Sequence, residues 1–387
     1  MLIAKLQEEQ QQSISLWEEL VNTASGSDNF AGIEQVVNIV LKATQPYITS
    51  HQIIQNETQT LILERKGDLQ GTILLIGHMD TVFTESQTND WKFTKDGAFV
   101  SGPGVYDMKG GIVQIILALK HLHEIQYKGY TIRVVLFGDE EVGHKYSDIS
   151  TIMKATKNDA IVCFCCESGR SDQALIVGRD GVAELEMQVS GQSGHAGYIT
   201  SDTGNAIKQL ALSIAEVYAI TERYPTVKVS AGLVTGGGAT NIVPDYAKVI
   251  FDIRYKNNEH FNEWWHELSE AIQAKITATT VSLNLRKGYP PMEMLASNIA
   301  LFDYMKEIAE ANNVAFTDYL HVGGGADSSL YANEGIPTIC GIGPWGENLH
   351  TVKEKANIQS LFDRTAILIE AILHIERFVK ISATQTE

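Results

Sequence analysis

No apolar run in the sequence is long enough to span a bilayer. The longest, Ile112-Val-Gln-Ile-Ile-Leu-Ala-Leu119, is interrupted by Gln114, whereas a span needs ~20 apolar residues. The opening Met1-Leu-Ile-Ala turns polar at once with Lys5, Glu8 and Glu9, so there is no signal-peptide core. The expectation is a cytoplasmic protein that does not act on membranes. Positive charge is scarce: 30 Lys+Arg against 47 Asp+Glu leave −17, which argues against nucleic acid as a partner. Cysteine is scarce too, with Cys163, Cys165 and Cys166 in one apolar stretch and Cys340 far downstream. Cys163 and Cys166 form a C-x-x-C, but no second pair completes a zinc knuckle. The better reading is cysteine as a small hydrophobe in a buried strand. Two glycine runs, Gly236–Gly238 and Gly323–Gly325, complete neither a P-loop nor a dinucleotide fingerprint. No internal repeat or low-complexity tract appears.

What is present is ordinary globular composition, 44% hydrophobic and 20% charged, and 387 residues, enough for two domains. Amphipathic helices are expected over 5–24 and 29–44, with Asp28 as the cap of the second. Short apolar strands at 72–76, 132–137 and 160–165 alternate with helices at 109–124 and 148–156, the pattern of a sheet covered on both faces. From Gly181 the strands alternate apolar and polar residues. A strand, a helix (203–220), two strands (227–234, 246–256), a helix (258–276) and a strand (281–286) give the β-α-β-β-α-β order of a ferredoxin-like module. The fold class is therefore α/β, a mixed, mostly parallel sheet covered by helices, with an inserted α+β domain. Residues 1–178 and 291–387 would form the catalytic domain and 179–290 the insert.

Three strands run into metal-capable residues: Gly77-His78-Met-Asp80, Gly138-Asp139-Glu140-Glu141 and Cys166-Glu167. A fourth stretch, Gly102-Pro-Gly-Val-Tyr-Asp107-Met-Lys-Gly-Gly111, sets an aspartate ahead of a helix. Sites in open α/β sheets lie beyond the carboxyl ends of strands, so one histidine and several carboxylates should meet at one rim. Zn²⁺ accepts imidazole nitrogen and carboxylate oxygen, and two ions ~4 Å apart need a bridging carboxylate. In His78-x-Asp80 the aspartate can hydrogen-bond the far ring nitrogen. In Glu140-Glu141, one side chain can bind metal while its neighbour acts as a base.

With Gly194-His-Ala-Gly197 and His350 added, these stretches resemble the dizinc aminoacylase and exopeptidase family of glutamate carboxypeptidases, acetylornithine deacetylase, succinyl-diaminopimelate desuccinylase and peptidase T. Asn241-Ile-Val-Pro and Phe251-Asp-Ile-Arg254-Tyr point to the glutamate carboxypeptidases. The resemblance implies two Zn²⁺ per subunit, with Co²⁺ or Mn²⁺ as substitutes. Asp107 would bridge them, His78 and Glu167 would complete one site, and Glu141 and His350 the other. Asp80 would orient His78. Glu140 would be the general base, taking a proton from a metal-bridging water and passing it to the leaving amine. His195 would stabilise the oxyanion in the partner subunit's site, Asn241 and Arg254 would hold the substrate's carbonyl and carboxylate, and Gly325 would line the pocket. The resemblance also implies a cis peptide after Asp107 and a homodimer formed through the inserted domain. Some glutamate carboxypeptidases carry Arg where this chain has Tyr289, which removes one anchor for a side-chain carboxylate.

The activity expected is hydrolysis of the amide bond of a small peptide or N-acyl amino acid with a free carboxylate. Two other readings are a deacylase of the acetylornithine deacetylase or desuccinylase type and, more remotely, a non-catalytic metal-dependent binding protein.

Overall fold

The computed structural model describes residues 2–200 and 203–384. The chain divides into two compact units. The larger holds Met1–Gly178, Met294–His321 and Ala326–Glu387; the smaller holds Arg179–Glu293 and the four residues Val322–Gly325.

The larger unit is built on an eight-stranded sheet in the order Ser50–Gln55, Gln59–Arg65, Tyr130–Phe137, Leu69–His78, Ala160–Cys165, Thr338–Cys340, Leu175–Arg179, Tyr319–Val322. The four central strands run parallel and antiparallel pairs flank them. Central strands buried on both faces explain the continuous apolar runs: Ile73 to Ile76 and Val134 to Phe137 are fully buried. The helix Gly110–Glu124 is buried along most of its length and packs against Ile358–Leu373. The side-chain amide nitrogen of Gln114, the polar break in the longest apolar run, donates there to the Ile342 carbonyl at 3.0 Å. All four cysteines are buried thiols, and burial pushes the Cys163, Cys165 and Cys166 thiols up. Among the described residues no helix is long and apolar enough to cross a membrane.

The smaller unit is a four-stranded antiparallel sheet in the order Val227–Gly236, Tyr246–Tyr255, Gly181–Ser190, Thr280–Lys287. Helices Ala206–Thr221 and Asn258–Ala271 complete the β-α-β-β-α-β order. Alternate strand residues Leu185, Met187, Val249 and Phe251 share a core with Val217, Phe261 and Trp264 of the helices. This is the ferredoxin-like pattern that the period-2 alternation predicts.

Three local expectations shift. The helix over 5–24 is two helices, Leu2–Glu8 and Gln10–Asn22, broken at Glu9. The helix over 29–44 begins at Phe30, and its cap is Asn29, not Asp28: the Asn29 side chain accepts the Gly32 amide at 3.0 Å. The helix expected to reach 276 stops at Ala271 because the side-chain oxygen of Gln209 captures the amides of Lys275 and Ile276, at 2.6 and 2.8 Å.

Candidate metal centre

Within the larger unit, strand ends and one tight turn deliver the candidate ligands. His78 is the last residue of Leu69–His78. Asp107 lies in the turn Val105–Lys109, where its φ of −115° and ψ of 99° depart from helical values, and the Asp107–Met108 peptide is cis. Glu140 and Glu141 form the short helical turn after Tyr130–Phe137, and Glu167 follows Ala160–Cys165 by two residues. His350 sits in a loop with φ 60°, a left-handed conformation few non-glycine residues adopt.

These side chains converge as two triads, His78–Asp107–Glu167 and Asp107–Glu141–His350, each with donor atoms within 4.8 Å of one another. His78 Nε2 is 3.2 Å from Asp107 Oδ1 and 3.3 Å from Glu167 Oε1. His350 Nε2 is 3.0 Å from Asp107 Oδ2 and 3.4 Å from Glu141 Oε2. Asp107 therefore turns one oxygen to each histidine.

Close packing fixes these directions. His78 Nδ1 faces the Asp80 carbonyl at 3.0 Å and its Oδ1 at 3.2 Å. That pairing puts the ring proton on Nδ1 and leaves the Nε2 lone pair to the triad. Asp80 also accepts the amides of Glu140 and Glu141, both at 3.1 Å, and the Ser27 hydroxyl at 2.7 Å. The turn carrying Asp107 is held by Glu354, whose Oε1 accepts the Tyr106 and Asp107 amides at 2.7 and 3.0 Å. Trp17 Nε1 donates to the Val105 carbonyl at 2.9 Å. A Cβ on Gly77 would stand 2.1 Å from Met108 Cε, and one on Gly111 would stand 2.0 Å from the Cys166 carbonyl. Backbone leaves no room for a side chain at Gly111, and at Gly77 the Met108 thioether would have to move.

Electrostatically the cluster asks for a cation. Burial pushes Glu141 up to about 10, with Asp107, Glu140 and Asp80 adding to it against His78. Burial likewise carries Glu167 to about 7, against His78. The Glu140 carboxyl is raised well above its ordinary value by burial; His78 opposes this, and Asp327, Glu167 and Asp80 reinforce it. Asp107 stays below the ordinary range because His350 and His78 outweigh its burial. Glu141 Oε1 is buried with no hydrogen-bond partner among the described residues. Orphaned, mutually repelling carboxylate oxygens beside two imidazole nitrogens fit divalent metal. Beside Glu141 lies a cleft of about 290 Å³ lined by Ser27, Asp28, Thr81, Phe83, Val142 and Tyr146, among others.

The remaining candidates lie in the smaller unit. Gly194-His195 pairs antiparallel with Ile242-Val243, and the Asn241 carbonyl accepts the Ala196 amide at 2.9 Å. These contacts bring His195 and Asn241 together on an exposed loop. Arg254 Nε and Nη2 each bond Asp252 at 2.8 Å, while Nη1 reaches the Gly323 carbonyl at 3.3 Å. Gly325 backs onto Tyr289, where a Cβ would stand 2.7 Å from the ring.

Sequence reasoning overlooked Glu354, Ser27 and the Met108 thioether, whose sulfur accepts the His78 amide at 3.1 Å. Glu354 stands four residues after His350, a spacing that was available as a signal. Ser27 and Met108 are marked only by the fold.

The family model described as "Peptidase family M20/M25/M40" matches residues 74–374. Carboxypeptidase G2 of Pseudomonas sp. is 26% identical over 357 residues, covering 89% of this chain and 85% of that protein. A succinyl-diaminopimelate desuccinylase of Ehrlichia canis is 25% identical over 329 residues, covering 79% and 83%. Among solved structures, aminopeptidase PepT of Bacillus cereus aligns with a TM-score of 0.76 at 22% identity, covering 93% of this chain and 97% of that one.

Proposed function

The chain belongs to peptidase family M20/M25/M40 and is a hydrolytic enzyme acting on amide bonds, and from that premise we propose a dizinc hydrolase of small peptides or N-acyl amino acids with a free carboxylate. The carrying observation is the pair of donor triads sharing Asp107 next to the Glu140 carboxyl. His78, Asp107 and Glu167 would hold one ion, and Asp107, Glu141 and His350 the other. Bound Zn²⁺, or Co²⁺ or Mn²⁺ in its place, supplies a polarised carbonyl and a more acidic water.

The chain's own residues do the rest. Asp80 holds His78 in the ligating tautomer. Glu140, whose carboxyl burial raises, takes the proton of the attacking water and returns it to the leaving amine. His195 Nδ1 accepts the Gly197 amide at 3.0 Å, so the neutral ring carries its proton on Nε2, the form that donates to an oxyanion. Asn241 would hold the substrate carbonyl. Arg254 would take the carboxylate with its planar fork, in exchange with Asp252. Gly325 would let the substrate approach the backbone.

A homodimer through the smaller unit belongs to the same reading. Val227–Gly236 is an edge strand of its sheet, and Leu233 and Val234 on it are 64% and 60% exposed. Such an edge is a template for pairing with a second chain.

The test is turnover of a mass-spectrometry panel by zinc-loaded protein, with Glu140→Ala as the blank. The panel holds acyl-glutamates, dipeptides, and N-acetyl, N-succinyl and N-benzoyl amino acids. Cleavage of acyl-glutamates or of peptides at the C-terminus is expected. Absence of any zinc-dependent cleavage overturns the proposal. The likeness to desuccinylases favours a second reading, a deacylase, for which succinyl or acetyl amino acids would be cleaved instead.

A further inference from the structure

His144 carries no motif, yet its side chain is only 5% exposed, and it lies between two fully buried carboxylates. Nδ1 is 3.3 Å from Asp139 Oδ1, and Nε2 is 2.7 Å from Asp327 Oδ1. A neutral imidazole has one N–H. It would set a lone pair against one of these oxygens, so the geometry calls for the doubly protonated ring. We propose that His144 is a positioning residue: an imidazolium that clamps Asp139, the residue before Glu140, to Asp327 and thereby fixes the direction of the Glu140 carboxyl.

The surroundings serve the clamp. The His144 amide also donates to the Asp139 carbonyl at 2.9 Å. Gly143 and His144 both adopt left-handed backbone, φ 65° and 57°, which folds the loop back over Asp139. The Asp139 carboxylate collects the Tyr146 amide and the Ser147 hydroxyl, each at 2.7 Å. The Phe137 ring lies 5.1 Å from the imidazole. Asp327 is 183 residues downstream, directly before the helix Ser328–Ala332, so the clamp ties the base-bearing turn to a distant part of the same unit. Burial opposes the charge, but Asp327 and Asp139 together hold the imidazole up at about 10. At the other end of the turn, the Glu140 amide is held by Asp80. With His144 neutral or absent, both buried carboxylates would lose its charge.

The inference rests on the reading of Glu140 as the base, and its test separates the two. In His144→Gln, which keeps a donor on one side but no charge, kcat should fall about 10- to 100-fold. KM and bound zinc should be little changed. Asp327→Asn should lower kcat comparably, and the double variant should lose little more, as for residues acting as one unit. In wild-type protein with ¹⁵N-labelled histidine at pH 7.5, both His144 ring nitrogens should be protonated. An unchanged kcat, a kcat loss matched by zinc loss, or a singly protonated ring would each overturn the clamp. Should His144→Gln fail to fold, Asp327→Asn and the wild-type spectrum still decide. Wild-type protein without amidase activity would remove the role of Glu140, leaving the spectrum to judge the imidazolium.

Discussion

The two units hold their chemistry in opposite ways. In the larger, the candidate groups other than the exposed His350 are buried or tied down: His78 is 1% exposed and Asp80 0%, and Asp107 is fixed through the amides that Glu354 accepts. In the smaller, His195 and Asn241 stand on an exposed loop, and Arg254 is half-buried against an aspartate. Burying carboxylates without compensation is costly, so the first arrangement makes sense only around a cation and is rigid by construction. The second leaves its polar groups open to water.

The sharpest break in that comparison comes at Glu140. Glu140→Ala should reduce kcat by about 10²- to 10⁴-fold, the usual worth of general acid–base catalysis, with bound zinc retained by atomic absorption. His195→Ala should cost about 10²-fold in kcat if it supplies an oxyanion donor, again with metal intact. Mixing it with Glu140→Ala subunits should regain activity through hybrid sites. A metal loss in His195→Ala would erase the distinction between the units. Asp80→Asn should act on the buried side alone, weakening metal affinity about 10- to 100-fold, read by competition with a chelating dye.

The smallest effect concerns pH. His144 is raised in the fold to about 10 from an ordinary 6.5. Its stabilisation is therefore complete below about pH 6.5 and is lost as pH rises toward 10. The difference in Tm between wild type and His144→Gln should be largest near pH 6 and shrink through pH 9. A difference that grows with pH would contradict the assignment.

The stretches carrying His78, Glu140–Glu141 and Glu167 were legible because each follows an apolar strand, and strand ends in an open α/β sheet converge; Asp107 precedes a helix and His350 lies in a loop, and their roles came through the family resemblance. The ferredoxin-like order was legible because its strands alternate with period two, and Gly181–Ser190 does so along its whole length. What escaped is set by proximity across the chain. Glu354 meets the Asp107 amide 247 residues away, and Ser27 meets Asp80 53 residues away. No local pattern encodes the Ser27 contact, and the four-residue spacing from His350 marks Glu354 without naming its partner. Asp28 and Asn29 are equivalent caps on paper. Only the backbone path decides which side chain reaches the Gly32 amide.

The buried cysteines have a practical consequence. All four lie in the larger unit and none in the smaller, and every thiol is enclosed by the fold. A thiol-reactive dye should therefore stay silent on the native enzyme and label it only when the larger unit opens. The rate of labelling is then a clock for the opening of that unit alone, running in the untouched sequence, while the five tryptophans, Trp264 and Trp265 among them in the smaller unit, can be followed in parallel by fluorescence.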